Sequence, residues 1–156
     1  LVNSIAKGRG MLDKWDQRFM DLANFVAAWS KDPSTQVGAV IANPHTKRVV
    51  SMGYNGFPSG VGDHDHRLEN REIKYKMIVH AETNALLFAG PAAENCTLYV
   101  TPLPPCARCG VVIIQAGIQR VVAPIPNKSK EHWNTQSEIS EQMFSEAGVE
   151  LEYVKI

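Results

Sequence analysis

Between residues 11 and 30 the apolar positions Leu12, Trp15, Phe19, Leu22, Val26 and Trp29 recur at intervals of three and four, with Asp13, Lys14, Asp16 and Arg18 between them. That period predicts an amphipathic helix laid on a sheet. Pro33 ends it, because proline disfavours α geometry in the residue before it. Residues 36–42 form a short apolar run and 48–52 a second one, separated by Asn43-Pro44-His45-Thr46. Two strands joined by such turn chemistry predict an antiparallel hairpin. Residues 53–60 are glycine-rich and read as a loop that continues to His66. Residues 67–79 are charged and then apolar at Met77, Ile78 and Val79, and the charged part reads as a short helix.

The second half alternates. Residues 80–89 predict a helix whose apolar face is Ala85, Leu86, Leu87 and Phe88. Residues 97–101 predict a strand, and 102–105, rich in proline, a stiff connector. Residues 106–116 predict a helix, apolar at Val111, Val112, Ile113 and Ile114, with Gly117 as its C-terminal cap. A strand at 119–123, an irregular stretch at 124–134, a helix at 135–147 closed by Gly148, and a strand at 149–154 complete the chain. Helices alternating with strands after an opening hairpin predict an α/β protein in three layers, α/β/α, around a five-stranded mixed sheet. The helix between the last two strands makes that pair parallel.

At 156 residues the expectation is one domain, spanning 11–156, with residues 1–10 set apart as an extraneous tail. Sixteen basic and sixteen acidic side chains cancel, which argues against a broadly basic nucleic-acid surface. No apolar run approaches the ~20 residues that span a bilayer, and residues 1–10 lack the apolar core of a signal peptide. A cytoplasmic protein without nucleic-acid or membrane partners is therefore expected. Three cysteines, two of them in C-x-x-C beside a proline, read as an intracellular metal site and not as a disulfide framework. Cys96 lies in an apolar run and reads as core.

The candidate chemistry sits in His80-Ala81-Glu82 and Pro105-Cys106-Ala107-Arg108-Cys109. His80, Cys106 and Cys109 make three good zinc ligands. A structural zinc site usually has four protein ligands, whereas a catalytic one keeps a position open for water. Both motifs fall at predicted helix starts, where free N–H groups and the positive dipole end favour thiolates. Cys106 and Cys109, three apart on one helix, face the same side. Glu82 is left over as a proton carrier. C-x-x-C alone is weak evidence and H-x-E alone weaker; ordered, proline-preceded and separated by a strand, they reinforce one another.

Together the motifs resemble the cytidine/deoxycytidylate deaminase superfamily, whose signature is H-x-E followed by P-C-x-x-C. Flanking segments resemble its deoxycytidylate branch: Ser30-Lys31-Asp32-Pro33-Ser34-Thr35-Gln36-Val37-Gly38-Ala39-Val40, Gly53-Tyr54-Asn55-Gly56-Phe57-Pro58-Ser59-Gly60, Val79-His80-Ala81-Glu82-Thr83-Asn84-Ala85, Leu98-Tyr99-Val100-Thr101 and Gln115-Ala116-Gly117-Ile118. The resemblance runs over residues 15–154. It implies the cytidine-deaminase-like fold and zinc-dependent hydrolysis of dCMP to dUMP and ammonia, supplying thymidylate synthesis. It implies Glu82 as the proton shuttle, Asn55 on the sugar 3′-hydroxyl or the base, and the Ala81 backbone on the pyrimidine edge. It also implies a homo-oligomer, often a hexamer, activated by dCTP with Mg2+ and inhibited by dTTP, with dCTP as a second substrate in some members. For the phosphate, Lys31, Ser34 and Thr35 lie in a family-like segment, and Lys128 and Lys130 in a candidate lid. Effector contacts are assigned to Asn55, Gly56, Asp63 and His64. The second zinc site that several members build from cysteines before the H-A-E motif has none here; Asp63, His64, Asp65 and His66 stand in that loop.

Two alternatives stay open. The zinc motif also serves tRNA adenosine and guanine deaminases, although neutral charge argues against tRNA. A non-catalytic, zinc-stabilised nucleotide-binding module would carry the same ligands.

Overall fold

The computed structural model describes residues 12–127 and 129–155. The expected tail at 1–10, the helix start at Met11 and the lid residue Lys128 lie outside the described residues. The first helix, α1 (Lys14–Ala27), begins at Asp13, whose carboxylate accepts from the N–H groups of Trp15 (2.9 Å) and Asp16 (2.8 Å). It stops two residues short of Trp29, which is half exposed and edges against Phe25 instead of joining the buried face.

The elements that follow are β1 (Gly38–Ala42), β2 (Val49–Tyr54), α2 (Asp65–Glu69), α3 (Arg71–Met77), α4 (Ala81–Ala89), a 3-10 turn (Gly90–Ala93), β3 (Thr97–Thr101), α5 (Ala107–Gln115), β4 (Arg120–Pro124), α6 (Glu131–Ala147) and β5 (Glu150–Val154). The five strands lie in the order β2-β1-β3-β4-β5. β1 pairs antiparallel with both β2 and β3, while β3, β4 and β5 are parallel. The expected hairpin and parallel last pair are both present.

Strand alternation splits the core in two. Ala39 and Ile41 of β1, with Leu98, Val100, Val121 and Ala123, face α4, α5 and α6 through Ala85, Leu86, Ile113 and Phe144. Val40, Ala42, Tyr99 and Val122 face the other way, onto Phe19, Met20 and Ala23 of α1. Helices on both sides of one sheet give the α/β/α layering.

Three readings change. Helix α6 begins at Glu131, inside the stretch read as irregular, because its start is held from outside its own sequence: Gln136 Oε1 accepts from the Ala107 N–H (3.0 Å), and Ser140 Oγ donates to the Pro105 carbonyl (3.1 Å). Strand β2 runs on through Gly53 and Tyr54, so the loop starts at Asn55. Leu87 and Phe88 are exposed, since the sheet-facing side of α4 is made by Ala81, Ala85 and Leu86. That side is small for a reason. A Cβ on Gly53 would lie 2.5 Å from the Ala81 carbonyl oxygen and 2.6 Å from the Ala85 nitrogen. Only glycine lets the start of α4 press onto β2.

Candidate active site

Two helix starts meet at one point. His80 is the N-cap of α4 and Cys106 the N-cap of α5. His80 Nδ1 lies 3.3 Å from Cys109 Sγ and 3.5 Å from Cys106 Sγ. The ligating atoms of the three residues lie within 4.8 Å of one another, and no other such group of His, Cys, Asp and Glu occurs among the described residues. Local folding explains the arrangement. Asn84 Nδ2 donates to the Tyr54 carbonyl (2.8 Å), which ties α4 to the end of β2. Cys106 Sγ accepts from the Cys109 N–H (3.5 Å), which sets the first turn of α5. The α6 contacts at Ala107 and Pro105 hold that turn from outside.

Charges are perturbed here. The hydrogen bond with Cys109 lowers the Cys106 thiol to about 4, against burial, with the His80 contact helping. The same hydrogen bond, with burial, pushes Cys109 strongly up. The Cys106 contact raises His80 against burial, with the Glu82 charge adding to it. Burial raises Glu82, which is 4% exposed. Two sulfurs and an imidazole nitrogen converging at one point suit zinc, which prefers this borderline-soft donor set. Replacing Cys106 by Ser is expected to lower bound zinc from about one per chain to under about a tenth, read by elemental analysis of the purified protein.

A cavity of roughly 170 Å³ opens above this floor. His80, Ala81, Glu82 and Cys106 line its depth, with Asn55, Ser34, Thr35 and Asp32 on one wall. Leu103, Pro104, Arg71, Lys74, Tyr75 and Lys130 also line it. Asn55 is buried. Its Nδ2 donates to the Thr35 carbonyl (2.9 Å) and to Asp32 Oδ2 (3.4 Å), and its Oδ1 accepts from the Val37 N–H (2.8 Å). Both amide hydrogens are spent and one lone pair of Oδ1 is left.

Asp32 and Lys74, to which the sequence assigned no site role, are the centre of that wall. The Asp32 carboxylate accepts from the N–H groups of Ser34 (2.8 Å) and Thr35 (3.3 Å) and pairs with Lys74 Nζ (3.2 Å) in a buried ion pair. Other expected residues lie elsewhere. Lys31 is exposed, pairs with Asp63 (2.9 Å), and does not line the cavity. Gly56 bridges Val79, and the exposed His64 stacks on His66 with ring centroids 5.6 Å apart. The spacing Arg71, Lys74, Tyr75, Ile78 is the signal that would have exposed the α3 wall in the sequence, because i, i+3, i+4 and i+7 share one face.

The family described as "Cytidine and deoxycytidylate deaminase zinc-binding region" matches residues 13–124. The chain belongs to that family. It is 45% identical over 147 residues to an uncharacterized deaminase from the luxG 3′ region of Aliivibrio fischeri, covering 94% of this chain and 97% of that one. It is 39% identical to the deoxycytidylate deaminase of Mus musculus, covering 87% of this chain and 77% of that one. The apo dCMP deaminase of cyanophage S-TIM5 has the same fold, with a TM-score of 0.72 at 22% identity over 92% of this chain and all of that one. As a member of this deaminase family, the chain carries the zinc-binding region in its cysteine and histidine set. No helix among the described residues is long and apolar enough to cross a membrane.

Proposed function

We propose that this deaminase hydrolyses dCMP to dUMP and ammonia. The observation that carries the reading is Glu82, buried beside the His80, Cys106 and Cys109 donors at the floor of a cavity whose wall presents Asn55. Relatives named deoxycytidylate deaminase, 37–39% identical over most of the chain, support the substrate.

His80, Cys106 and Cys109 would hold the zinc, which when bound supplies a Lewis acid that lowers the pKa of a water from near 16 to about 7. Glu82 accepts a proton from the attacking water, delivers it to N3 of the cytosine ring, and then passes the second water proton to the departing amine. The oxygen stays on C4 and ammonia leaves, so the atoms balance. The Ala81 N–H, at the first turn of α4, has no intrahelical acceptor and meets the pyrimidine edge. The remaining lone pair of Asn55 Oδ1 accepts from a sugar hydroxyl. Leu103 and Pro104 add apolar surface to the lining.

Homo-oligomerisation belongs to the same reading. Leu87 and Phe88 on α4 and Val111 and Val112 on α5 leave an exposed apolar surface on the outer side of the zinc helices, which supports self-association. Activation by dCTP with Mg2+, inhibition by dTTP, use of dCTP as a second substrate, and a role in supplying thymidylate rest on the family resemblance.

The test is a panel of dCMP, deoxycytidine, guanine and adenosine-bearing tRNA, followed by ammonia release. dCMP should be turned over with the highest kcat/KM. Intact dCMP beside consumed guanine or tRNA would replace this reading with one of the other zinc deaminations.

A further inference from the structure

We infer that Arg71, Lys74 and Lys130 form the receptor for the substrate's phosphate monoester, which places anion recognition on α3 and the start of α6 and not on Lys31. The inference rests on the dCMP reading and assigns its specificity. Three observations carry it.

The first is the charge balance of the cavity lining. Its carboxylates are Asp32 and Glu82; its cations, leaving aside the metal donor His80, are Arg71, Lys74 and Lys130. Asp32 is committed to Lys74, to Asn55 and to the turn at 34–35. Glu82 lies buried beside the metal donors. Arg71 and Lys130, both exposed, take part in no ion pair among the described residues. The lining therefore keeps unspent positive charge from two separate elements.

The second is Lys74. Its side chain is 5% exposed, and its ammonium reaches Asp32 Oδ1 (3.2 Å) and Ser34 Oγ (3.3 Å). An ammonium has three donors. The third has no acceptor among the described residues, in a group that lines the cavity. Burial excludes water from this cation, so an arriving anion meets it at low dielectric.

The third is the topology. Arg71 stands one turn before Lys74 on the same face of α3, and Lys130 occupies the position just before the first turn of α6. Lys130 and the positive end of that helix dipole add to the field at the cavity. A phosphate monoester carries about −1.5 to −2 charge and three acceptor oxygens at neutral pH, which suits a guanidinium fork and two ammonium groups. Lys31, by contrast, is 74% exposed and already paired with Asp63.

The experiment compares kcat/KM for dCMP and for deoxycytidine in the wild type, Arg71→Ala, Lys130→Ala and the double variant. Both positions are exposed, so folding does not confound them. The dCMP-to-deoxycytidine ratio should fall about 10- to 100-fold per site, the worth of a hydrogen bond to a charged group. Inorganic phosphate should inhibit the wild type competitively against dCMP and lose potency in the double variant. A ratio that holds in these variants, or that collapses only in Lys31→Ala, overturns the inference. If the wild type does not act on dCMP at all, the functional reading fails separately. Calorimetry with inorganic phosphate then decides the receptor: binding weakened in the double variant supports it, and no binding overturns it.

Discussion

Replacing Glu82 by Gln is expected to cut kcat by about 10²- to 10⁴-fold, the range that general acid–base groups contribute, while bound zinc stays unchanged. Glutamine matches the shape of glutamate but carries no titratable proton. Glu82 is buried on the first turn of α4, and a neutral amide is easier to bury there than a carboxylate. The variant should therefore unfold at the same temperature as the wild type or higher. His80, Cys106 and Cys109 keep their positions, so metal content separates loss of the proton carrier from loss of the site. Steady-state kinetics, elemental analysis and thermal unfolding check the three parts. Turnover within a few-fold of wild type would remove Glu82 from the chemistry.

Arg120→Met is expected to destabilise the folded chain by about 3–5 kcal/mol, the loss typical when a buried ion pair is left half-occupied. Arg120 opens β4. Its guanidinium holds Asp16 of α1 through two bonds, Nη1 to Oδ1 (2.7 Å) and Nη2 to Oδ2 (3.0 Å), and Nη2 also bonds Glu152 of β5. The Tyr99 hydroxyl of β3 donates to the same Asp16 (2.7 Å). One guanidinium thus fastens a helix on one face to strands of the sheet. Methionine fills similar volume but strands two buried carboxylates. Against a typical total of about 5–15 kcal/mol, that loss is large; urea unfolding at neutral pH measures it.

The pH dependence supplies an independent signature. Burial by itself pushes Asp16 up, but the Arg120 and Tyr99 hydrogen bonds outweigh it and hold the group below its ordinary value. A lowered folded pKa contributes stability that is fully present above the unfolded value of about 4 and is lost as pH falls through the folded one. Without Arg120, burial wins and Asp16 takes up a proton more readily. The gap between wild type and variant should therefore be widest near neutrality and narrow on acidification. A gap under about 1 kcal/mol at neutral pH that does not change with pH would mean that the network is dispensable.

The candidate metal donors, and the carboxylate beside them, were legible in the sequence because each half of the site is local. His80 and Glu82 sit two apart, Cys106 and Cys109 three apart, and helix starts place both pairs. The layering was legible from period alone. What stayed hidden depends on contacts distant in sequence. Lys74 reads as one more charge on a solvated helix until the fold brings Asp32 to it across 42 residues. Lys31, adjacent to Asp32 in sequence, points instead to Asp63. The polar start of α6 has no apolar period to reveal it, since it is fixed through Gln136 and Ser140 to the turn that carries Cys106. Leu87 and Phe88 look like core residues by composition. Exposure follows because Gly53 brings α4 so close that only small side chains fit beneath its first turns.

The Asp32 carboxylate joins Lys74, Asn55 and the backbone of Ser34 and Thr35 in one cluster. The side chain proposed for the anion, Lys74, and the one proposed for the nucleoside, Asn55, thus share a single counter-charge. Exchanging either alone disturbs the other, so a lineage drifting from one nucleotide toward another has no neutral single step through this wall. Substrate change is expected to enter by coordinated substitutions at 32, 55 and 74, or to bypass the cluster through Arg71 and Lys130, which make no contact with Asp32.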